Sequence, residues 1–370
     1  MEKVRFVDKE KSKFFVELKR EVDAYFKENK ISKNADFQMK FKTVFFLTVL
    51  FGTWGLMLFG NLETTVGSWV LYPMWIVIGL FSAFAAVNVG HDAIHGAYSK
   101  KSKVNNLLSH TFNFLGASAY MWKTMHNQAH HTFTNIDHHD EDIISVPIIR
   151  MCPNQEWKPV HRFQHIFSFF LYPLGSISWV FIKDYKKFYQ PAIGSFKQKH
   201  KMKDHVMLYV YKAIYYTLFI VMPLMLIDAS WSTIILGFVI GHLFEGFTLA
   251  VIFMLAHVVE ECEFPIYNEK NEVFYGWAEH QMRTTANFAT GSFLANFLTG
   301  GLNFQVEHHL FPLICHTHYP KISPIVEKVA SKYGVPYNNN HSYFGAVRSH
   351  VRLLKKLGTG TQDHLLNGFA

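Results

Sequence analysis

Four long apolar segments constrain the fold of this 370-residue chain more than any other feature of its sequence. A helix needs about 20 predominantly apolar residues to cross a lipid bilayer, and each segment approaches or exceeds that length. Only Lys212 and Glu245 carry a charge within them, and short links join the segments into two pairs. We therefore predict an all-α integral membrane protein with four transmembrane helices in two hairpins. The predicted spans are residues 43–60, 68–89, 206–227 and 232–256.

The distribution of basic residues predicts the orientation of these spans. The chain has a formal net charge of +8, yet the links 61–67 and 228–231 contain neither Lys nor Arg. Because Lys and Arg are enriched in cytoplasmic loops, we expect both termini and the long middle segment to lie in the cytoplasm. Residues 1–42, 90–205 and 257–370 would then form a helical cap that belongs with the spans to a single domain.

Two further segments are predicted to lie on the inner membrane surface. Residues 167–182 form an apolar run that Pro173 and Gly175 interrupt, which is too broken for a span and indicates an interfacial helix. The basic stretch 9–33 has amphipathic spacing around Phe14 and predicts a second surface helix.

Histidines cluster directly after the predicted spans. The chain contains 22 of them, and none precedes His91. The motifs HDAIH and HNQAHH place imidazoles four residues apart, on one face of a helix. The motif QVEHH places Gln305 three and four residues before its two histidines. Three such motifs on one side of a membrane predict a shared metal site. The candidate ligands are His91, His95, His126, His130, His131, His257, His308 and His309.

The number and kind of these ligands favour two iron ions. Imidazole binds zinc, copper, iron and nickel, but eight imidazoles exceed the four ligands of one tetrahedral zinc site. The cysteines lie outside the motifs, and HDAIH has Asp92 where the H-E-x-x-H helix of zinc proteases has its catalytic Glu. A site at a membrane exit is also well placed for the oxidation of a lipid chain. Copper remains an alternative.

At these residues the sequence resembles the membrane fatty acid desaturases. The matching stretches are NVGHDAIHGAYSK, WKTMHNQAHHTFTN, MLAHVVE, RTTANFATG and GGLNFQVEHHLFPLICHTHYPKI, and the similarity extends from residue 14 to residue 356. More narrowly, the chain resembles the front-end branch, whose third motif is Q-x-x-H-H, and especially its bacterial and cyanobacterial delta-6, linoleoyl type. Gln305 stands where the related acyl-CoA desaturases have a ninth histidine.

This resemblance implies a four-span enzyme of the bacterial inner membrane with a non-haem diiron centre in its cytoplasmic cap. It implies that the eight histidines are the iron ligands. The implied reaction consumes O2 and two external electrons and forms a cis double bond in a fatty acyl chain. CoA, a carrier protein or a glycerolipid of the lipid bilayer would carry that chain, and no nucleic acid takes part.

Two departures from the family bear on the centre and on its supply of electrons. The related acyl-CoA desaturases have an Asn four residues before the histidine of the fourth span, and here that position is Phe253. A different group or a water molecule would therefore complete the coordination. Many eukaryotic front-end enzymes begin with a cytochrome b5 domain, whose HPGG haem motif is absent here. We expect a separate electron donor, either a ferredoxin or a cytochrome b5.

Several polar residues beside the motifs are candidates for a supporting role. Carboxylates and amides often hold the outer ring nitrogen of a ligand imidazole, although such residues can equally be ordinary surface groups. The candidates are Asp92, Gln305, Asn287, Gln281, Glu307, His138, His139, Asp140 and Asp142.

Other ionisable residues favour a structural explanation. His316 and His318 are spaced toward opposite faces, and His280 is better explained by packing than as an extra ligand. His242 and Glu245 lie three residues apart within the fourth span, as either a buried packing pair or a border of the acyl tunnel. The basic run AVRSHVRLLKKLG predicts a helix that contacts anionic lipid, an acidic electron donor or only solvent.

Two other functions remain open at this point. A membrane diiron hydroxylase would use the same metal chemistry and differ in its product. A membrane zinc hydrolase or a metal transporter would predict about one zinc per chain or metal sites at mid-membrane, whereas the motifs here lie outside the predicted bilayer core.

Overall fold

Four helices in the described part of the chain are long and apolar enough to cross a membrane. The computed structural model describes residues 3–7, 13–143 and 148–359. Its fold is mostly helical, which confirms the predicted all-α membrane architecture. We call these helices the first to fourth spans; they are Phe37–Phe59, Ser68–His95, Met202–Leu226 and Trp231–His257.

The second span is longer than the predicted range 68–89. Its helix continues through a π-helical turn, Ala86–Gly90, into a last helical segment, His91–His95. Gly96 then ends the helix in the left-handed conformation, with φ of 80°, which glycine adopts without steric cost. The first histidine motif is therefore part of the span itself, and its imidazoles are fixed by the packing of that span.

Shorter elements surround the spans, and all except Leu62–Thr65, in the link between the first two spans, belong to the cap. The helices are Phe14–Glu28, Leu62–Thr65, Ser102–Ser109, Thr111–Phe114, Ala119–Trp122, the π-helix Lys123–His130, His131–Phe133, Gln164–Leu171, Leu174–Ser178, Asp184–Phe188, Trp277–Thr284, Phe293–Leu298, Gln305–Leu310, Tyr319–Tyr333 and Tyr343–Thr359. Three two-stranded pairs join Arg5–Phe6 to Glu272–Val273, Ala192–Ile193 to Phe196–Lys197, and Asn287–Phe288 to Asn339–Asn340.

The second and fourth spans approach each other through glycines. A Cβ atom added to Gly79 would lie 2.0 Å from the carbonyl oxygen of Gly241, and one added to Gly237 would lie 2.2 Å from the ring of Trp75. Small residues let membrane helices pack backbone against backbone. This close packing holds together the two spans whose ends, at His95 and His257, carry candidate ligands.

The amphipathic N-terminal helix packs against protein. In Phe14–Glu28 the buried side chains are Phe14, Leu18, Val22 and Phe26, and they share an apolar core with the helix Tyr319–Tyr333. The prediction of a helix lying on the inner leaflet was therefore wrong. Its apolar spacing indicates a buried face, but spacing alone does not distinguish a lipid partner from a protein partner.

The interrupted apolar run forms a sharply bent helix pair. The segments Pro159–Leu171 and Leu174–Phe188 meet at an angle of 78°, beside Pro173, which cannot continue the backbone hydrogen bonding of a helix. The second segment is joined to the third span by a buried ion pair, because Lys212 Nζ lies 2.9 Å from the carboxylate of Asp184. The same ammonium donates to the carbonyl oxygens of Gly116, Trp179 and Val180.

This ion pair generates a stability prediction. Lys212→Met should destabilise the protein by roughly 3–5 kcal/mol, because it leaves the Asp184 carboxylate buried without its counter-charge. Thermal unfolding in detergent would measure the effect. The control is Lys203→Met at an exposed position of the same helix, and an equal melting temperature for both variants would contradict the prediction.

Candidate metal centre

All eight candidate imidazoles come together where the second and fourth spans enter the cap. Each is buried, with at most 9% of its surface exposed. Two groups are defined by ring nitrogens that lie within 4.8 Å of one another. His131 lies between the groups, since its nitrogen falls within the same distance of His308 and His309. The first group is His91, His95, His126 and His308; the second group is His130, His257 and His309.

A π-helix shapes the contribution of the second motif. In Lys123–His130 the backbone widens, and the amide of His131 donates to the carbonyl of His126, five residues earlier. Residues five apart consequently face each other, and the Nε2 atoms of His126 and His131 are 3.2 Å apart. The α-helical spacing assumed from the sequence did not predict this contact, although π-turns are frequent at functional sites.

The inner nitrogens of the cluster converge without satisfying one another. The Nε2 atoms of His95, His130 and His308 are buried and have no hydrogen-bond partner among the described residues. The Nε2 atoms of His91 and His126 lie only 3.0 Å apart. Buried polar atoms are normally satisfied, and neutral imidazoles aimed at one point are what a metal cation requires. The residues present therefore fit imidazole-bound metal ions.

The outer nitrogens of four imidazoles contact oxygen atoms of the protein. His130 Nδ1 lies 3.0 Å from the carboxylate of Asp140, and His309 Nδ1 lies 2.8 Å from Gln281 Oε1. An outer N–H held in this way fixes the tautomer and leaves Nε2 free to bind a metal. The remaining contacts are His257 Nδ1 to the Thr284 carbonyl and His308 Nδ1 to the Tyr319 hydroxyl, both at 3.3 Å.

Burial keeps most of the cluster neutral. It holds the pKa well below the ordinary histidine value of 6.5 in His126, His131, His308 and His309, and the neighbouring imidazoles add to this effect. Burial also lowers the pKa of His130, but the carboxylates of Asp140 and Asp142 outweigh it and leave that pKa raised. The negative charge beside His130 makes this imidazole a stronger electron donor to a bound metal than a ligand without such a neighbour.

Comparison with known proteins decides the family. The model of the fatty acid desaturase family matches residues 67–340, about three quarters of the chain. The chain belongs to the fatty acid desaturase family. It is therefore an oxygen-dependent oxidoreductase of lipid metabolism and a multi-pass membrane protein, and its histidine cluster agrees with the use of a metal cofactor.

Relatives of this desaturase cover nearly the whole chain. It is 35% identical to the sn-1 linoleoyl-lipid 6-desaturase of Arthrospira platensis, over 93% of this chain and 92% of that protein. It is 34% identical to the enzyme of the same name from Synechocystis sp., over 96% of this chain and 98% of that one. It is also 34% identical to the acyl-lipid (8-3)-desaturase of Physcomitrium patens, over 96% of this chain and 74% of that protein.

In this desaturase the carboxylate of Asp92 contacts His316 rather than a candidate ligand. The backbone N–H and the Nδ1 atom of His316 lie 3.1 and 2.9 Å from Asp92 Oδ2. On the other side of the ring, Lys42 Nζ lies 2.7 Å from His316 Nε2. This buried chain of contacts joins the first and second spans to the loop that follows the third motif. His316 thus links a buried carboxylate to a buried ammonium, and its structural role stays a prediction.

The third motif of the desaturase is held at its start by Asn287. The side chain of Asn287 accepts from the backbone N–H of Val306 at 2.9 Å and donates to Glu307 at 2.8 Å. The Tyr337 hydroxyl also donates to Glu307, at 2.7 Å. Burial raises the pKa of Glu307 to about 7. Asn287 and Tyr337 thus support the helix Gln305–Leu310 through its residues Val306 and Glu307, not through its imidazoles.

Gln305 itself lies in the second group. Its side-chain amide nitrogen is 2.7 Å from His257 Nε2 and 3.3 Å from His309 Nε2. The amide oxygen is buried without a hydrogen-bond partner among the described residues. A 180° rotation exchanges the two ends of an amide, so the oxygen can occupy the position where the second group would bind a metal.

Phe253 places a ring beside the first group. Its centroid lies 5.6 Å from the ring of Trp122 and 6.3 Å from that of His126. A phenyl ring has no atom that can bind a metal or hold a water molecule. Any ligand that completes this group must therefore come from elsewhere, as the departure from the family pattern led us to expect.

The remaining histidine candidates lie apart from the two groups, whereas the carboxylate of Asp142 lies 3.5 Å from His130 Nδ1. His280 is fully buried against Phe6, with 4.9 Å between the ring centroids. His242 bonds to the hydroxyls of Ser176 and Tyr215 inside the membrane region. The other three also lie elsewhere: His138 is exposed, His139 contacts Ser195, and His318 contacts the Asn34 carbonyl.

Sequence reasoning missed three residues that contact ligand imidazoles. These are Thr134, whose hydroxyl lies 3.3 Å from His309 Nδ1, and the residues Thr284 and Tyr319. Thr134 lies three residues after the second motif, and this proximity was the one available signal. Thr284 contacts His257 through its backbone carbonyl. Every residue has such a group, so the side-chain type gives no signal of this contact.

The grouping predicts that ligand variants lose metal selectively. His95→Ala should remove the ion of the first group and His309→Ala the ion of the second, and both should abolish desaturation. Metal content of the purified variants, measured by plasma mass spectrometry, checks this outcome. Retention of wild-type activity by either variant would contradict the assignment of that ligand.

The contact between Asp140 and His130 predicts a weaker effect. Asp140→Asn keeps the shape of the side chain but removes its charge, so metal affinity should fall by about 10–100-fold. A competition assay with a chelator would measure it. Asp137→Asn is the control, since Asp137 is also buried and bonds to the backbone of His138. Equal affinities in the two variants would argue against the role of Asp140.

Proposed function

We propose that this protein is a front-end fatty acyl desaturase of the delta-6, linoleoyl type. It would introduce a cis double bond at the sixth carbon of an 18-carbon polyunsaturated chain, using two irons, O2 and two external electrons. The observation that carries the proposal is the convergence of eight buried imidazoles, seven of them in two adjacent groups and His131 between the groups. The Q-x-x-H-H motif and the linoleoyl-lipid 6-desaturase relatives support the narrower assignment.

Each group would hold one iron through neutral Nε2 atoms. When bound, the two irons would supply the activation of dioxygen that the removal of two hydrogens requires. Asp140, Gln281 and Tyr319 would keep the ligand rings oriented through their outer nitrogens. Gln305 would offer the second group an amide oxygen, which is a weaker donor than an imidazole nitrogen.

The surroundings of the groups would exclude water from the reaction. Trp122 stacks on His126 with 4.8 Å between ring centroids, and Phe253 packs against both. A dry, rigid site protects reactive oxygen chemistry from side reactions.

The proposal also includes the acyl carrier, the electron donor and the membrane in which the protein resides. The relatives are named as acyl-lipid or linoleoyl-lipid enzymes, which favours a glycerolipid as the acyl carrier. A separate ferredoxin or cytochrome b5 would deliver the electrons. Both termini and the metal centre would face the cytoplasm, and the protein would reside in the bacterial inner membrane.

Expression in a host without such desaturases tests the reaction. Cells fed linoleic acid should accumulate a chain with a new double bond at carbon six, as mapped by mass spectrometry. A hydroxylated chain would instead identify a membrane diiron hydroxylase. The purified protein should contain two irons per chain, and one zinc per chain would favour a zinc hydrolase.

Gln305 offers a test of the front-end signature. Gln305→Leu removes the amide next to His257, so iron affinity of the second group should fall by about tenfold or more, as for other groups that support a metal site. The first group should retain its iron. Gln198→Leu, in a loop far along the chain from the motifs, is the control. Unchanged iron content and activity in Gln305→Leu would show that the amide is dispensable.

A further inference from the structure

An apolar crevice opens where the fourth span meets the cap. Its cavity has a volume of about 160 Å³. One wall is the half of the fourth span nearer the cap, with Val251 and Leu255. Phe169, from the bent helix pair, forms the second wall, and the beginning of the C-terminal helix Tyr343–Thr359 forms the third with Phe344 and Val347. Three separate parts of the chain therefore build one cavity.

The polar groups of the crevice are bonded to one another. The Tyr172 hydroxyl lies 2.8 Å from His350 Nε2, and His350 Nδ1 donates to the carbonyl of Val258 at 2.6 Å. These bonds occupy both ring nitrogens of His350. The surface offered to a ligand is consequently hydrocarbon and aromatic ring, which suits an acyl chain and disfavours any polar molecule.

The crevice adjoins the metal centre. Leu255 lies two residues before the candidate ligand His257, and Val258, whose carbonyl His350 binds, directly follows it. Leu255 and Val251 share an apolar core with Ala256 and Ala289. Ala289 lies two residues after Asn287, which holds the start of the third motif. The wall between the crevice and the second group therefore includes the small, buried side chains of Ala256 and Ala289.

The mouth of the crevice carries exposed aromatic rings. Phe344 is 82% exposed and Phe247 is 40% exposed. Arg348 follows Phe344 by one helical turn and is also exposed. Arg352 and Lys356, farther along the same helix, pair with Glu260, whereas Arg348 has no ion-pair partner among the described residues.

We propose that this crevice is the lateral entrance by which the acyl chain of a membrane glycerolipid reaches the metal centre. The inference rests on the proposed function and names the route of its lipid-linked substrate. Arg348 sits where an anionic headgroup would lie once the chain occupies the crevice, and a cation at that level attracts anionic lipid.

Photolabelling tests the entrance without relying on turnover. The full chain is reconstituted in vesicles with phosphatidylglycerol whose sn-1 linoleoyl chain carries a diazirine. After irradiation, the label should concentrate on peptides 247–255 and 343–350. Label spread evenly over the exposed faces of all four spans would overturn the proposal.

A crevice-filling variant sharpens the test. Val347→Trp should lower labelling of these peptides by about tenfold, the equivalent of losing one good apolar contact, and should raise the KM for the lipid more than it lowers kcat. Leu236→Trp places the same bulk on the exposed surface of the fourth span and should leave labelling and KM unchanged. Equal behaviour of the two variants would overturn the entrance. If Val347→Trp does not fold, labelling of the unaltered protein decides alone.

A comparison of an anionic and a zwitterionic lipid tests the role of Arg348. Arg348→Gln should reduce labelling by phosphatidylglycerol but not labelling by phosphatidylcholine that carries the same chain. An equal reduction for both lipids would overturn the role of Arg348.

The experiments distinguish an incorrect assignment of the entrance from an incorrect assignment of the function. Labelled crevice peptides in a protein that forms no double bond would refute the desaturase reaction and retain the lipid site. Desaturation with label elsewhere would refute the entrance alone.

Discussion

The close approach of the second and fourth spans at Gly79 and Gly241 is the contact on which the rest of the structure depends. Two helices that touch backbone to backbone have little freedom to slide or rotate. Their ends at the cap carry His91, His95 and His257, so the interhelical packing also sets the spacing of three candidate ligands. A side chain larger than hydrogen at Gly79 would disturb the site at a distance.

The cap supplies the remaining ligands and holds them from outside. Asp140, Gln281 and Tyr319 contact outer ring nitrogens, while Asn287 secures the start of the third-motif helix. The chain of contacts from Lys42 through His316 to Asp92 then connects this layer to the first two spans. Each element of the site is thus anchored both to the membrane helices and to the cap, which leaves the imidazoles preorganised for metal binding.

Part of this arrangement was predictable from local patterns. Apolar length predicted the four spans, and motif spacing predicted the imidazoles that converge, because both properties belong to residues near one another in sequence. The same reasoning failed for the N-terminal helix around Phe14, whose buried face meets protein instead of lipid. It also failed to predict that Asp92 would contact His316, 224 residues away, since no local pattern encodes a partner at that separation.

The sequence by itself therefore determined the membrane class, the set of candidate ligands and the resemblance that identifies the family. Only the tertiary structure decided how the imidazoles divide into two groups, that Gln305 belongs with His257 and His309, and that a crevice lies beside them. The physical reason is that hydropathy and helical spacing are properties of short segments. A metal site and an acyl entrance instead depend on distances between segments that only packing brings together.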